Sequence, residues 1–252
     1  MTDFTKSCVE RLAEGLLANS TRRAWRLTGD YGTGKSSFAL VLAHLFAGHQ
    51  NGLLKELRKS IQVNGFFPGN LNLLPILITG SRSPLRIALL SALQNSLVTT
   101  FPKGSKAQFP LGLQRILEIS EEDIGSQSKT RISQNERSEI PNITDKEIVE
   151  GFIEFSQFIK AKSKESGILL ILDELGKFLE FAAMYPDRQD IYLLQQLAEA
   201  SSRSGNTPLF LLGILHQGFS AYADRLDDLK KSSLINRLNK SFIYYQLLWE
   251  SR

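Results

Sequence analysis

The stretch that decides the fold is Gly29-Asp30-Tyr31-Gly32-Thr33-Gly34-Lys35-Ser36, which reads G-x-x-x-x-G-K-S. A short, mostly apolar segment at 24–28 precedes it, and a largely apolar segment at 37–46 follows it. These flanks predict a strand before the loop and a helix after it, which is the context that this phosphate-binding pattern requires. The alternative, a glycine-rich structural turn, is disfavoured by that context.

The composition of the loop explains how it would hold phosphate. Glycines allow positive φ and a close approach of the backbone to a ligand. Successive N–H groups then form a nest for phosphate oxygens, and the start of the helix adds its positive dipole end. Lys35 is expected to reach the β- and γ-phosphates, and the Ser36 hydroxyl to ligate Mg²⁺. The predicted nucleotide-binding residues are Gly29, Asp30, Tyr31, Gly32, Thr33, Gly34, Lys35, Ser36 and Ser37.

A second motif combines an aliphatic run with two acids. The run at 168–172 is followed directly by Asp173 and Glu174. Such a run predicts a central parallel strand that is buried on both faces, and its acids then lie at the carboxyl edge of the sheet, where ligands bind in open α/β folds. Asp173 is expected to hold Mg²⁺, directly or through water, and Glu174 to orient and deprotonate the attacking water. The alternative is a strand that ends in a solvated acidic turn.

A third apolar segment, at 208–217, predicts another buried strand that ends in His216 and Gln217. In a doubly wound sheet this strand would lie beside the strand of Asp173. The polar pair would then sense the γ-phosphate or orient the water, or it would simply face a loop, and the sequence leaves both readings open. The other histidines, His44 and His49, are expected to be structural or exposed, since the sequence has no metal-binding histidine spacing.

The composition favours an intracellular α/β protein. The chain has 252 residues, 42% of them hydrophobic, and a formal net charge of +4, which permits a nucleic-acid partner without arguing for one. Cys8 is the single cysteine, so the sequence has no internal disulfide and no cysteine-based metal cluster. We find no signal-peptide pattern and no apolar run near the roughly 20 residues of a membrane span. These features predict a cytoplasmic protein without membrane association.

We predict one domain over residues 1–252. Its parts are an N-terminal helix in residues 1–20, a polar insertion or mobile lid at 102–143, and a tail at 232–252 with a last strand within 241–249. Loops as long as 102–143 are uncommon inside compact domains, which is why this segment is interpreted as an insertion.

With these residues placed, the sequence resembles the P-loop NTPases that carry a catalytic glutamate beside the Mg²⁺-binding acid, the broad class of AAA-like and related additional-strand ATPases. The resemblance covers residues 20–225. It implies a three-layer α/β/α P-loop NTPase fold with a mainly parallel central sheet. In that class an extra strand separates the loop strand from the acidic strand, and the predicted strand at 73–80, which lies between them in sequence, is compatible with this. The chain also looks like large bacterial ATPases of uncharacterised or genome-defence type.

Individual residues of this sequence match the motifs of that class. Lys35 and Ser36 match the phosphate lysine and the Mg²⁺ hydroxyl of the class, and Asp173 and Glu174 match its acidic pair. The position of His216-Gln217 matches a polar sensor, a weaker match because the residue type varies in the class. The implied function is Mg²⁺-dependent binding and hydrolysis of ATP, as a switch or motor that acts on a protein or DNA partner, with assembly into homo-oligomers.

The sequence also departs from the class. Such ATPases are usually longer and continue into a lid and further domains, so we interpret the chain as a natural truncation or a fragment, with a 232–252 tail that is cut short. No arginine finger is identified: Arg203, Arg225 and Arg237 lie near predicted helix ends, and a solvated arginine is the favoured reading for each. The alternative function is therefore a nucleotide-binding regulatory module that does not hydrolyse ATP.

Two further functions receive less support from the sequence. Asp173-Glu174-Leu175-Gly176 reads D-x-x-G, which GTPases use at the γ-phosphate, but the guanine-reading N-K-x-D signature is absent. A small-molecule kinase is compatible with the motif, since one fold hosts many functions, but no acceptor-substrate motif supports it.

Overall fold

A five-stranded, fully parallel sheet forms the centre of the molecule. The computed structural model describes residues 3–18, 20–48, 52–63, 71–101, 108–119, 143–185, 190–222 and 228–246. The strands are β1 (Ala24–Thr28), β2 (Leu73–Thr79), β3 (Gly167–Asp173), β4 (Leu209–Leu215) and β5 (Ile243–Gln246). Their order across the sheet is β2-β3-β4-β1-β5, and each neighbouring pair is parallel. The predicted α/β class with a parallel sheet is confirmed.

One helix precedes β1, and the others occupy the connections between the strands. They are α1 (Asp3–Ala13), α2 (Lys35–Phe46), α3 (Gly52–Val63), α4 (Leu85–Thr100), α5 (Leu111–Glu118), α6 (Asp145–Lys162), α7 (Leu175–Met184), α8 (Asp190–Ser202), α9 (Phe219–Tyr222) and α10 (Asp228–Ser241). A short 3₁₀ turn, Glu14–Leu16, follows α1. None of the helices described is long and apolar enough to cross a membrane.

The two faces of the sheet carry separate hydrophobic cores. Along β3, Ile168, Leu170 and Leu172 pack into one core together with residues of α4, α6, α7 and α8. Leu169 and Ile171, which point the opposite way because strand side chains alternate, pack into the other core with α1 and α2. A strand buried on both faces needs apolar residues at every position, and the aliphatic run supplies them. The molecule therefore has three layers, with helices on both sides of the sheet.

The strand between the loop strand and the acidic strand is β4. It pairs with β1 from Ala24↔Leu211 to Thr28↔Leu215 and with β3 from Ile168↔Leu209 to Leu172↔Gly213. The expectation that β4 lies beside the acidic strand is thus confirmed. The predicted strand at 73–80 forms β2, but it lies on the outer side of β3, so it does not separate β1 from β3. Sequence order did not give spatial order here, because each parallel connection crosses over and can skip a position in the sheet.

Part of the predicted insertion at 102–143 packs into the main core. Phe109 on the segment before α5, and Leu113 and Ile116 on α5, are buried against α6. Residues 102–107 and 120–142 lie outside the described part, so the interpretation of the remainder as an insertion or lid stays a prediction. In the tail, β5 falls within the predicted last strand and pairs with β1; residues 247–252 are outside the described part.

A buried arginine ties the segment before β1 to the rest of the fold. Arg23 has no exposed surface. Its guanidinium donates to the carbonyls of Gly15 at 2.8 Å, Leu17 at 3.1 Å and Gly205 at 2.5 Å, and to the Ser204 hydroxyl at 2.9 Å. Burial lowers the pKa of Arg23. The side chain thus joins the turn after α1 to the turn before β4.

Candidate functional site

The glycine loop lies between the end of β1 and the start of α2. Gly32 has φ of 77° and Gly34, the residue that caps α2, has φ of 74°. Both values are in the left-handed region, which glycine adopts without the steric penalty of a side chain. Lys35 is the first residue of α2, and the Phe38 N–H donates to the Gly34 carbonyl at 2.8 Å. The predicted order of strand, loop and helix is therefore confirmed.

Lys35 is folded into the loop. Its side chain is 4% exposed, and Nζ donates to the carbonyl oxygens of Gly29 and Asp30, each at 2.5 Å, and to Thr33 Oγ1 at 3.3 Å. Burial lowers the pKa of Lys35, while the negative charges of Asp30 and Asp173 oppose that shift. This buried ammonium is bonded to neutral oxygens of its own loop. Such a charge gains further stabilisation from an anion brought into the loop.

The acidic pair lies at the carboxyl end of β3. Asp173 is the register partner of Thr79, the last residue of β2. The Asp173 carbonyl accepts the Gly80 N–H at 2.7 Å, and Asp173 Oδ1 accepts the Glu174 N–H at 2.8 Å. These contacts hold the Asp173 carboxylate at the sheet edge, on the side of the glycine loop.

Glu174 has a strained backbone. Its φ is 50° and its ψ is 38°, and it is the single non-glycine residue with positive φ in the described part of the chain. Such strain costs about 1–3 kcal/mol and is concentrated at functional sites. Glu174 Oε2 forms an ion pair with the ammonium of Lys177, one turn into α7. Sequence reasoning did not identify Lys177, although its spacing of three residues from Glu174 on a predicted helix would have placed the two side chains together.

Gly176, the glycine of the D-x-x-G sequence, has a packing role. A Cβ at this position would lie 2.4 Å from a ring atom of Tyr222, so only glycine lets α9 approach α7 this closely. The pattern therefore has an explanation in helix packing that does not involve guanine nucleotides.

The polar pair at the end of β4 divides into one half-buried and one exposed side chain. His216 is half-buried and stacks on Tyr31 of the loop, with ring centroids 3.6 Å apart and planes 19° from parallel. His216 Nδ1 is buried and has no hydrogen-bond partner. Gln217 is exposed. The Tyr222 hydroxyl accepts the backbone N–H groups of both residues at 3.3 Å, a contact that the sequence did not reveal.

The charges of the site act on one another. Burial lowers the pKa of His216, and the positive charge of Lys35 lowers it further, while Glu174 and Asp173 raise it and Lys177 lowers it slightly. The imidazole is thereby kept neutral at neutral pH. The structure thus brings the loop, the acidic pair and His216 to one edge of the sheet. Ser36 and Ser37 are exposed there, at the start of α2.

The candidate finger arginines lie elsewhere. Arg203 is exposed, lies 3.8 Å from Glu199, and comes just before β4, at the amino edge of the sheet. Arg237 is exposed on α10, which precedes β5 and therefore also leads to the amino edge. Arg225 is outside the described residues. Neither described arginine belongs to the site of its own chain.

The donor set fits a hard divalent cation that binds together with phosphate. Within the described residues no group of three or more His, Cys, Asp or Glu side chains could hold a metal ion by itself. Mg²⁺ is usually bound by one or two carboxylates, waters and phosphate oxygens, not by a cage made entirely of protein ligands. The Ser36 hydroxyl and the Asp173 carboxylate are oxygen donors of the required kind at the same edge.

Comparisons with known proteins found no relative of this chain. The chain matches no protein-family model, no curated protein and no solved structure. The function is therefore argued from the geometry and chemistry of the site.

Proposed function

We propose that this chain is a P-loop ATPase of the additional-strand, catalytic-glutamate type, which binds and hydrolyses ATP with Mg²⁺ and acts as a switch or motor on a partner. One observation carries the proposal. The buried Lys35 ammonium is bonded to oxygens of its own loop and lies at the sheet edge that also carries Asp173 and Glu174, with β4 between their strands. That is the combination of groups that phosphoryl transfer needs.

The loop supplies the phosphate-binding groups. The backbone N–H groups from Gly29 to Gly34 and the start of α2 provide donors and the positive end of a helix dipole. A bound triphosphate would exchange with the carbonyl oxygens that now bind Lys35, so the ammonium would pass from neutral acceptors to anionic ones. The ammonium forms charge-assisted hydrogen bonds in both cases, and an anionic acceptor adds the attraction between opposite charges.

Ser36 and Asp173 are the residues proposed to hold Mg²⁺. When bound, Mg²⁺ neutralises charge on the β- and γ-phosphate oxygens. Asp173 is kept at the sheet edge by the Glu174 N–H that it accepts. Ser36 is exposed on the first turn of α2, next to the lysine.

Glu174 is the proposed general base. It follows the Mg²⁺ acid directly, and its left-handed backbone turns the chain from β3 into α7. Lys177 binds the Glu174 carboxylate and restricts its position. The neutral imidazole of His216 stands next to both groups and is the proposed sensor of the γ-phosphate, with the exposed Gln217 as the weaker candidate.

ATP is favoured over GTP as the nucleotide. The guanine-reading signature is missing from the sequence, and Gly176 is explained by its contact with Tyr222. We further propose that neighbouring copies supply transition-state charge in a homo-oligomer, since neither described candidate arginine lies in the site of its own chain. The partner, protein or DNA, stays a prediction from the resemblance.

The second candidate is a regulatory module that binds ATP without hydrolysing it. The Glu174–Lys177 ion pair favours this candidate, because a carboxylate engaged by an ammonium is a weaker base for water. In that case Lys177 would keep the base engaged at all times.

The test is the Glu174→Gln variant, measured for ATP binding by calorimetry and for phosphate release at saturating Mg-ATP. We expect ATP affinity to be retained and turnover to fall by 100-fold or more, on the order of the contribution of a general base. Glu180→Gln is the matched control, on helix α7 that Glu174 caps. This variant should hydrolyse ATP normally, since Glu180 pairs with the exposed Arg82. Equal hydrolysis by wild type and Glu174→Gln would exclude Glu174 as the base. Wild-type binding without any phosphate release would establish the second candidate.

A further inference from the structure

The loop contains an exposed aromatic residue that phosphate binding does not require. Tyr31 is 79% exposed, although its ring lies flat on His216. Phosphate-binding loops need glycines, backbone N–H groups and a lysine, and none of these roles calls for a tyrosine ring. One face of the exposed ring is nevertheless committed to a specific partner, the imidazole of His216.

The partner of Tyr31 is itself incompletely bonded. The backbone N–H of His216 donates a hydrogen bond to the Tyr222 hydroxyl, while Nδ1 of its ring is buried without a hydrogen-bond partner. A buried polar atom of this kind is uncommon in native proteins and marks a place where a ligand or water completes the bonding. The charged groups that act on the ring are Lys35, Asp173, Glu174 and Lys177, which are the proposed phosphate lysine, the proposed Mg²⁺ ligand, the proposed base and the ion-pair partner of that base.

The stack connects two elements of the site that have no covalent link. Tyr31 belongs to the loop after β1, and His216 directly follows β4, the neighbouring strand. Stacking of two planar rings restricts the rotation of both, because tilting either ring loses contact area. A histidine at a strand end is otherwise free to turn its ring about two side-chain torsions.

We propose that Tyr31 is a positioning residue for catalysis: its ring holds the imidazole of His216 in a fixed orientation at the sheet edge, where the imidazole would act on the terminal phosphate or the attacking water. This inference rests on the proposed ATPase function. It adds a residue, Tyr31, that would not contact phosphate through its side chain but would act through His216. The stack also couples the orientation of the imidazole after β4 to the position of the glycine loop.

The test is a double-mutant cycle on turnover. Tyr31→Ala keeps the backbone N–H through which this loop residue would bind phosphate, so it should leave ATP affinity within about two-fold and lower kcat about 2- to 10-fold, the range expected for the loss of one aromatic stack. Tyr31→Phe, which keeps the ring, should restore kcat. In the His216→Ala background, Tyr31→Ala should have no further effect. Tyr192→Ala, which removes another exposed tyrosine from α8, is the control for non-specific effects and should behave as wild type.

A structural readout accompanies the kinetics. In NMR spectra of the protein at fixed pH, the ring C–H resonances of His216 should shift in Tyr31→Ala and keep their positions in Tyr31→Phe, because a stacked ring shields its neighbour. Unchanged His216 resonances in Tyr31→Ala, a wild-type kcat in that variant, a loss of ATP affinity, or equal effects of Tyr31→Ala with and without His216 would each overturn the inference. A wild-type protein that releases no phosphate from Mg-ATP would instead refute the proposed ATPase function, and with it the catalytic role of Tyr31.

Discussion

Gly80 directly follows β2 and contacts the backbone of Asp173 and Glu174. Its replacement by alanine should therefore lower the rate of catalysis strongly, although Gly80 is not part of the glycine loop. A Cβ at Gly80 would lie 2.1 Å from the carbonyl oxygen of Glu174, 2.7 Å from its carbonyl carbon and 3.1 Å from the Asp173 carbonyl oxygen. All three are backbone atoms, so the conflict cannot be relieved by turning a side chain.

The displacement can be estimated from these distances. Real Cβ contacts are essentially never shorter than 3.0 Å, so the carbonyl of Glu174 has to move away by about 1 Å. A misplacement of about 1 Å in a catalytic group can cost roughly 100-fold in rate. Overpacking of this kind also costs about 1–3 kcal/mol of folding free energy, which corresponds to a fall in Tm of about 2–12 °C for a chain of this size.

Gly167→Ala is the matched control. Its Cβ would lie 2.1 Å from the Pro208 carbonyl oxygen, also a backbone atom, but at the amino end of the same strand β3. We expect both variants to lose similar stability, and only Gly80→Ala to lose about 100-fold in kcat for phosphate release. The assay is phosphate release at saturating Mg-ATP, at a temperature well below both Tm values. Equal losses of kcat in the two variants, or normal turnover in Gly80→Ala, would show that the backbone contact at Gly80 does not position the acidic pair.

Three further perturbations test the account of the fold. Thr144→Ala removes the N-terminal cap of α6, in which Thr144 Oγ1 accepts the Glu147 N–H at 3.2 Å, and should lower the free energy of unfolding by about 0.5–2 kcal/mol in a urea titration. The Thr144 N–H holds the pKa of Glu147 below its ordinary value of 4.5, so this contact stabilises the fold above about pH 4.5 and is lost as the pH falls through the lower pKa of the folded state. Glu147→Gln should therefore flatten the acid-side pH dependence of unfolding, and an unchanged pH profile would contradict this. Arg23→Lys should destabilise the protein by more than about 2 kcal/mol, because an ammonium cannot reproduce the planar fork of donors and leaves buried carbonyls unbonded; wild-type stability would refute the role of that guanidinium.

The parts of the site that could be predicted from sequence depend on local patterns. The strand, loop and helix around Lys35 follow from apolar flanks and closely spaced glycines. The buried strand before Asp173 follows from five consecutive aliphatic residues. Each of these signals lies within about ten residues of chain and needs no knowledge of what packs against it.

The parts that could not be predicted depend on contacts between distant segments. The sequence placed β4 beside β3, but the position of β4 between β1 and β3 follows from how the connections cross over, and sequence order suggested β2 as the strand that separates them. The stack of Tyr31 on His216 and the bonds from the Tyr222 hydroxyl arise only when a loop, a strand end and a short helix meet. Nothing in the spacing of these residues indicates that meeting.

Buried charge is the other kind of feature that sequence patterns missed. Arg23 is fully buried and Arg58 is 6% exposed, and both are satisfied by backbone carbonyls and small polar side chains from separate segments. Arginine is mostly exposed in proteins, so its type gives no signal for burial. Likewise, the helix at 111–118 lies inside a polar stretch, and only the burial of Leu113 and Ile116 against α6 shows that it belongs to the core.

The proposed ATPase function is tested most directly by phosphate release from Mg-ATP, measured as a function of protein concentration with Lys35→Ala as the blank. We expect release by the wild type, a rate per chain that rises with concentration as neighbouring copies supply transition-state charge, and no release by Lys35→Ala. Absence of release by the wild type at every concentration, or equal release by wild type and Lys35→Ala, would contradict it.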